Sequence, residues 1–138
     1  MISVLIDTNV VLDYAEEREG FYETAQKVFE IVRQRQIIGC ISASAVTDIF
    51  YVLLKRYKDP DSVISLLKKL IRILKILTVD RPTIDTAIES GMLDFEDAVQ
   101  AAAAQDFGID IVVTRDKTGF LASTLQVYSP EEFLETLI

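Results

Sequence analysis

No histidine occurs anywhere in this chain, cysteine occurs once, and glycine and proline supply only five and three of its 138 residues. Each shortage excludes something. Without histidine there is no imidazole base to activate Cys40, which lies in the apolar run "IIGCIS" and reads as a small buried hydrophobe rather than a nucleophile. Zinc sites are built mainly from histidine and cysteine, so a metal here must be held by oxygen, which points to magnesium or manganese, or to calcium at a looser site. No Pro/Gly/Ser-rich stretch, repeat or low-complexity tract divides the chain, which reads as a single domain over 1–138. Met1 leads straight into strand-like sequence, and no run approaches the ~18 apolar residues of a membrane span, so a soluble, cytoplasmic protein without a membrane partner is expected.

Positive charge is also short, with 14 Lys and Arg against 22 Asp and Glu and a net charge of −8. A general polyanion-binding surface is thereby disfavoured, and any nucleic acid must be met through a local patch or a metal ion. The dense basic segments are "LLKRYK" (Lys55, Arg56, Lys58) and "LLKKLIRILK" (Lys68, Lys69, Arg72, Lys75). In the second, Leu66, Leu67, Leu70, Ile71 and Leu74 form an apolar stripe at helical spacing, and the lysines fill the solvated side.

What is present is an alternation of continuous apolar runs with helical periods. Strands are expected over 2–6, 37–41, 76–79, 110–114 and 126–128. A short helix is expected after Asn9, with further helices over 21–35, 43–57, 60–75, 83–90 and 95–107 and a last one from Pro130. Strands that are apolar throughout, separated by helices, imply a mostly parallel sheet covered on both faces: an α/β fold, specifically a three-layer α/β/α sandwich. Ligands of such sheets bind outside the carboxyl ends of the strands, at the topological switch point. Asp7 ends the first strand in "MISVLIDTNVVLDY", and Asp116 follows "IVVTR" at the end of a later one.

The turn after the first strand, "DTNVVLD", has no glycine with which to cradle phosphate, so neither a P-loop nor a dinucleotide site fits. A phosphate-acceptor receiver domain would place its aspartate after a middle strand, where Ser42 stands. A haloacid-type phosphatase would want an acid where Asn9 stands. Asp48 is the sole charge in "IIGCISASAVTDIFYVLL", a helix apolar on almost every side. Helical geometry alone leaves two orientations open for it, a wet or metal-containing cleft, or solvent opposite Val46, Ile49, Phe50 and Leu53. In "DFEDAVQAAAAQDFG", Asp94 reads as a helix cap. Ala101, Ala104 and Gly108 follow Asp97 at helical spacing as a strip of small residues that would let another backbone approach and bring Asp97 to the sheet's rim.

"LIDTNVVLD", the lone acid after the second strand, "DFEDAVQAAAA" and "IVVTRDKTGF", in this order along nearly the whole chain, resemble the PIN-domain family, in particular VapC-type toxins. The resemblance implies a magnesium- or manganese-dependent ribonuclease, commonly a homodimer and commonly neutralised by an antitoxin protein. It carries the family's acids onto Asp7, Asp48, Asp97 and Asp116, and the polar residues beside the first acid onto Thr8 and Asn9. Two positions depart from the pattern: Asp48 stands where glutamate is usual, and Gly119 where an acid often precedes the phenylalanine, so that Asp116 serves alone. Carboxylates converging without a basic counterpart repel unless a divalent cation lies between them. Asp7, Asp97 and Asp116 are therefore the expected metal ligands, Asp48 completes the catalytic ring, Thr114 and Asn9 orient it, and Arg115 and Lys117 are the candidates for holding substrate phosphate. The rival readings are a catalytically degenerate interaction module, and a metal-dependent DNA nuclease or phosphatase using the same site.

Overall fold

The computed structural model describes residues 1–137. In chain order the elements are β1 (Ser3–Ile6), α1 (Thr8–Ala15), α2 (Tyr22–Arg33), β2 (Ile38–Ser42), α3 (Ala43–Tyr57), α4 (Pro60–Ile73), β3 (Lys75–Leu77), α5 (Arg81–Glu89), α6 (Phe95–Asp106), β4 (Ile111–Val113), β5 (Gln126–Tyr128) and α7 (Pro130–Thr136). A 3-10 turn, Lys117–Phe120, lies between β4 and β5, outside the helices expected from the sequence. The strands pair in the order β3-β2-β1-β4-β5, and every pairing is parallel.

The apolar runs explain the layering. Successive side chains of a strand point to opposite faces, so a strand covered on both sides must be apolar at every position. In β1, Val4 and Ile6 enter a core with Val10, Val28, Phe29, Ile49, Leu53 and Phe133, from α1, α2, α3 and α7. Leu5 enters the opposite core with Ala101, Ala104, Val112 and Phe120, under α6. The result is the α/β/α sandwich, with α5 packed beside α6 on the second face. The chain steps from β1 to β2 and β3 on one side and returns to β4 and β5 on the other. The switch point therefore lies between the carboxyl ends of β1 and β4.

Two local expectations are corrected. Helix α3 is not enclosed on several sides: Ala45, Ile49 and Leu53 make one buried stripe, while Tyr51 and Val52 are exposed. Helix α6, by contrast, is buried at every position from Ala98 to Ala104, which only a run of small side chains permits between sheet and α5. Gly108 is not part of that packing strip. It is exposed at φ +78° with nothing within 4 Å of a would-be Cβ, and Ile109 N–H returns to the carbonyl of Ala104, so this glycine ends the helix.

Candidate active site

Asp7 follows the last residue of β1 and is at the same time the N-cap of α1, which begins at Thr8, two residues before the expected start after Asn9. Its Oδ1 accepts from Thr8 N–H at 2.8 Å and from Gln100 Nε2 at 3.3 Å. Its Oδ2 accepts from the hydroxyl of Thr114 at 2.7 Å. Only 6% of the residue is exposed. Burial pushes its carboxyl above the ordinary range, against the pull of these hydrogen bonds.

Thr114, fully buried just past β4, ties the switch point together. While donating to Asp7, its oxygen accepts from Asp116 N–H at 3.0 Å and from Asn9 Nδ2 at 3.5 Å. Asn9 in turn accepts from Arg115 N–H at 3.4 Å. Thr8 and Thr114 thus contact Asp7 directly, and Asn9 joins them through Thr114. Thr114→Val keeps the side-chain shape but removes partners from both Asp7 Oδ2 and the Asp116 amide, and is expected to cost about 2 kcal/mol in urea unfolding, a loss within about 0.5 kcal/mol of zero contradicting this linking role.

Asp97 stands in the first turn of α6, where Asp94 caps the helix by accepting from Asp97 N–H at 3.0 Å. The Asp97 and Asp116 carboxylates meet over Gly119: a Cβ added there would lie 2.6 Å from Asp97 Oδ2 and 3.3 Å from Asp116 Oδ2. The absence of a side chain at 119 is thus what gives these two carboxylates room. Asp97 is pushed up to about 7, first by desolvation and then by the charges of Asp7, Asp94, Glu96 and Asp116.

Glu96 was not singled out from the sequence, yet it belongs to the group. At the exposed mouth of the site it too is pushed up to about 7, by desolvation first, then by the neighbouring Asp48 carboxylate and by the charges of Asp94 and Asp7. Asp48 is half-buried on α3, which packs against α6, so of its two open orientations the structure adopts the one toward the acids. The only sequence signal for Glu96 was its place one residue before Asp97, which reads equally well as a first-turn acid that favours the helix dipole.

The basic residues do not neutralise this cluster. Arg115 gives Nε and a terminal nitrogen to the two oxygens of buried Asp13, at 2.6 and 3.1 Å, and its guanidinium lies 3.9 Å over the Phe21 ring. Lys117 pairs with Glu132 at 2.8 Å. Among the described residues, no lysine or arginine forms an ion pair with Asp7, Asp48, Glu96, Asp97 or Asp116. Nor do three His, Cys, Asp or Glu side chains among those residues stand together close enough to hold a metal ion as they are. The donors nevertheless fit a hard divalent cation in kind and charge: they are all oxygen, they raise one another's proton affinity, and nothing cationic separates them.

An acid-lined crevice at the switch point of an all-parallel α/β/α sandwich defines a class of protein in which side chains from the first and fourth strands and two helices share one site. Residues 3–118 match the family model described as PIN domain, and the chain belongs to that family. It is 27% identical over 137 residues to Ribonuclease VapC1 of Aquifex aeolicus (strain VF5), covering 96% of this chain and 93% of that protein. Its fold is similar to that of DNA-bound VapBC from Salmonella typhimurium (TM-score 0.73, 18% identity, 94% of this chain and 99% of that one). It is also similar to a toxin-antitoxin complex from Klebsiella pneumoniae (TM-score 0.66, 19% identity, 92% and 97%).

Proposed function

We propose that this chain is a single-domain, cytoplasmic, magnesium- or manganese-dependent ribonuclease of the VapC type, the toxin of a toxin-antitoxin pair, cutting RNA phosphodiester bonds at the Asp7–Asp97–Asp116 crevice. The observation that carries the reading is Asp97, a half-buried carboxylate that shares the space over Gly119 with Asp116, feels the charges of Asp7, Asp94 and Glu96, and has no basic partner among the described residues. Similarity to a ribonuclease along almost the full length of both chains supports RNA as substrate. Likeness in fold to a protein from a toxin-antitoxin complex supports an antitoxin as partner.

Asp7, Asp97 and Asp116 would hold the cation. Bound there, a divalent ion supplies activation of water and neutralises charge on the scissile phosphate. Thr114 and Asn9 keep Asp7 and the Asp116 loop in register, and Thr8 fixes Asp7 through its amide. Asp48 and Glu96 would complete the acidic ring at its mouth, where the charge of Asp48 helps to raise the proton affinity of Glu96. Lys117, in an exposed ion pair of little net energy, is free to exchange Glu132 for a substrate phosphate. Arg115 would contact substrate only by leaving Asp13, and in its observed position it braces the loop that carries Asp116.

A panel of RNA, single-stranded DNA and small phosphate esters, each with chelator and with magnesium or manganese, tests the reading. Metal-dependent cleavage of RNA alone is expected. Cleavage of DNA or esters instead would move the protein to the nuclease or phosphatase class, and inertness toward all substrates would make it an interaction module. A two-fold homodimer is also expected, since Tyr51 and Val52 on α3 and Ile64 on α4 leave apolar surface exposed. Light scattering at micromolar concentration that returns the 15.5 kDa monomer would contradict it.

A further inference from the structure

Two buried side-chain polar atoms lack a hydrogen-bond partner among the described residues, Thr8 Oγ1 and Gln100 Oε1. Both belong to residues whose nitrogen donates to the same atom, Asp7 Oδ1. The other buried side-chain polar atoms of the described residues find partners, so the unsatisfied ones belong to two residues that hold a single oxygen of the acidic site. Gln100 is the more telling of the two. It is 1% exposed, one helical turn after Asp97, in a stretch of α6 otherwise made of alanine and valine. An orphaned buried acceptor is costly, and a leucine or methionine of similar size would avoid that cost. Nor can the amide turn over to relieve it, because that would set Oε1 against the Asp7 carboxylate and withdraw a donor from it.

Resting on the metal-dependent reading above, we propose that Gln100 is a positioning residue of the site. Nε2 locks the amide onto Asp7, and Oε1, left unpartnered by the protein, accepts a hydrogen bond from a water held in the crevice when a divalent cation is present. A water of this kind typically joins about three otherwise unsatisfied polar groups, and Thr8 Oγ1 is a second unpartnered atom on a residue that holds the same carboxylate oxygen through its amide. Gln100 then contributes to cation affinity without being a ligand.

The test is calorimetric titration of manganese into chelator-stripped wild type, Gln100→Leu and Gln100→Met, with the melting temperature of each measured in chelator. Both variants are expected to melt in chelator close to the wild-type temperature, because relief of the orphaned Oε1 offsets loss of the Nε2 hydrogen bond to Asp7. Both are expected to bind manganese roughly 10–100-fold more weakly, the usual effect of losing a group that orients a ligand or its water. A purely structural glutamine would give the opposite pattern, a lowered melting temperature with unchanged affinity, and that result overturns the proposal. Failure of both variants to fold likewise assigns Gln100 to the core alone and overturns it. Wild-type protein that takes up no manganese overturns the cation reading itself, whereas normal wild-type binding with unaffected variants removes only the role of Gln100.

Discussion

Asp7→Asn and Asp97→Asn are each expected to lose ~100-fold or more of metal-dependent RNA cleavage while remaining folded, a deficit at or beyond the roughly 10–100-fold typical of groups that only support a ligand. The fold should survive for specific reasons. Asparagine caps helices about as well as aspartate, so Asn at position 7 retains the start of α1. Its amide oxygen still accepts from Thr8 N–H and Gln100 Nε2, and its nitrogen can donate to the Thr114 hydroxyl in place of the long 3.5 Å contact from Asn9. At position 97 the helix is capped by Asp94, so the Asp97 side chain is not needed for α6 to begin. What both substitutions remove is negative charge where a cation would sit. Steady-state cleavage of a labelled RNA, with circular dichroism as the check on folding, decides the matter. A folded variant that retains the wild-type rate would show that the acid concerned is not part of the active site.

The second large effect is a reversal of stability by metal. In the cation-free protein, Asp97 titrates at about 7 rather than its ordinary 3.8, and Glu96 at about 7 rather than 4.5. Between the ordinary and raised values the folded state therefore binds more protons than the unfolded chain. Stability in chelator should fall as pH rises from about 4 to about 7 and level off above that, because the penalty is absent while both states are protonated and complete once both are ionised. A divalent cation that binds only the folded form adds RT ln(1 + [L]/Kd), about 2.7 kcal/mol at a hundredfold excess over Kd. Because that cation requires ionised carboxylates, its contribution grows with pH, opposite to the trend in chelator.

Asp97→Asn should then be as stable as wild type in chelator or more so. Relief of repulsion from Asp7, Asp94, Glu96 and Asp116 outweighs the ~0.3–1 kcal/mol that a first-turn acid contributes through the helix dipole. The same variant should lose most of its response to millimolar magnesium. Scanning calorimetry across this pH range, with chelator and then with metal, reads both signs. A wild-type melting temperature indifferent to magnesium and manganese, or an Asp97→Asn protein that is weakened in chelator yet responds fully to metal, would leave Asp97 an ordinary helix-start acid.

The local chemistry of this chain is written in its sequence. Apolar runs with no polar position define β1 and its neighbours as strands covered on both faces. The 3.6-residue period buries Ala25, Val28, Phe29 and Val32 of α2, and the Asp94 cap starts α6 as its side chain dictates. Strand ends fixed by these runs also put Asp7 and Asp116 on one rim, and the family resemblance collected the remaining acids. None of those signals reaches beyond a few residues. The contacts that turn the acids into a site join Asp7 to Gln100 and to Thr114, Asp13 to Arg115, and Asp97 to the backbone at Gly119. They exist only because β1 and β4, far apart in the chain, become neighbours in a parallel sheet, with α3 and α6 packed against each other beyond its edge. Burial then decides what no residue type decides by itself: which carboxylates hold their protons, which arginine is bound by an internal acid, and which amide oxygen is left without a partner.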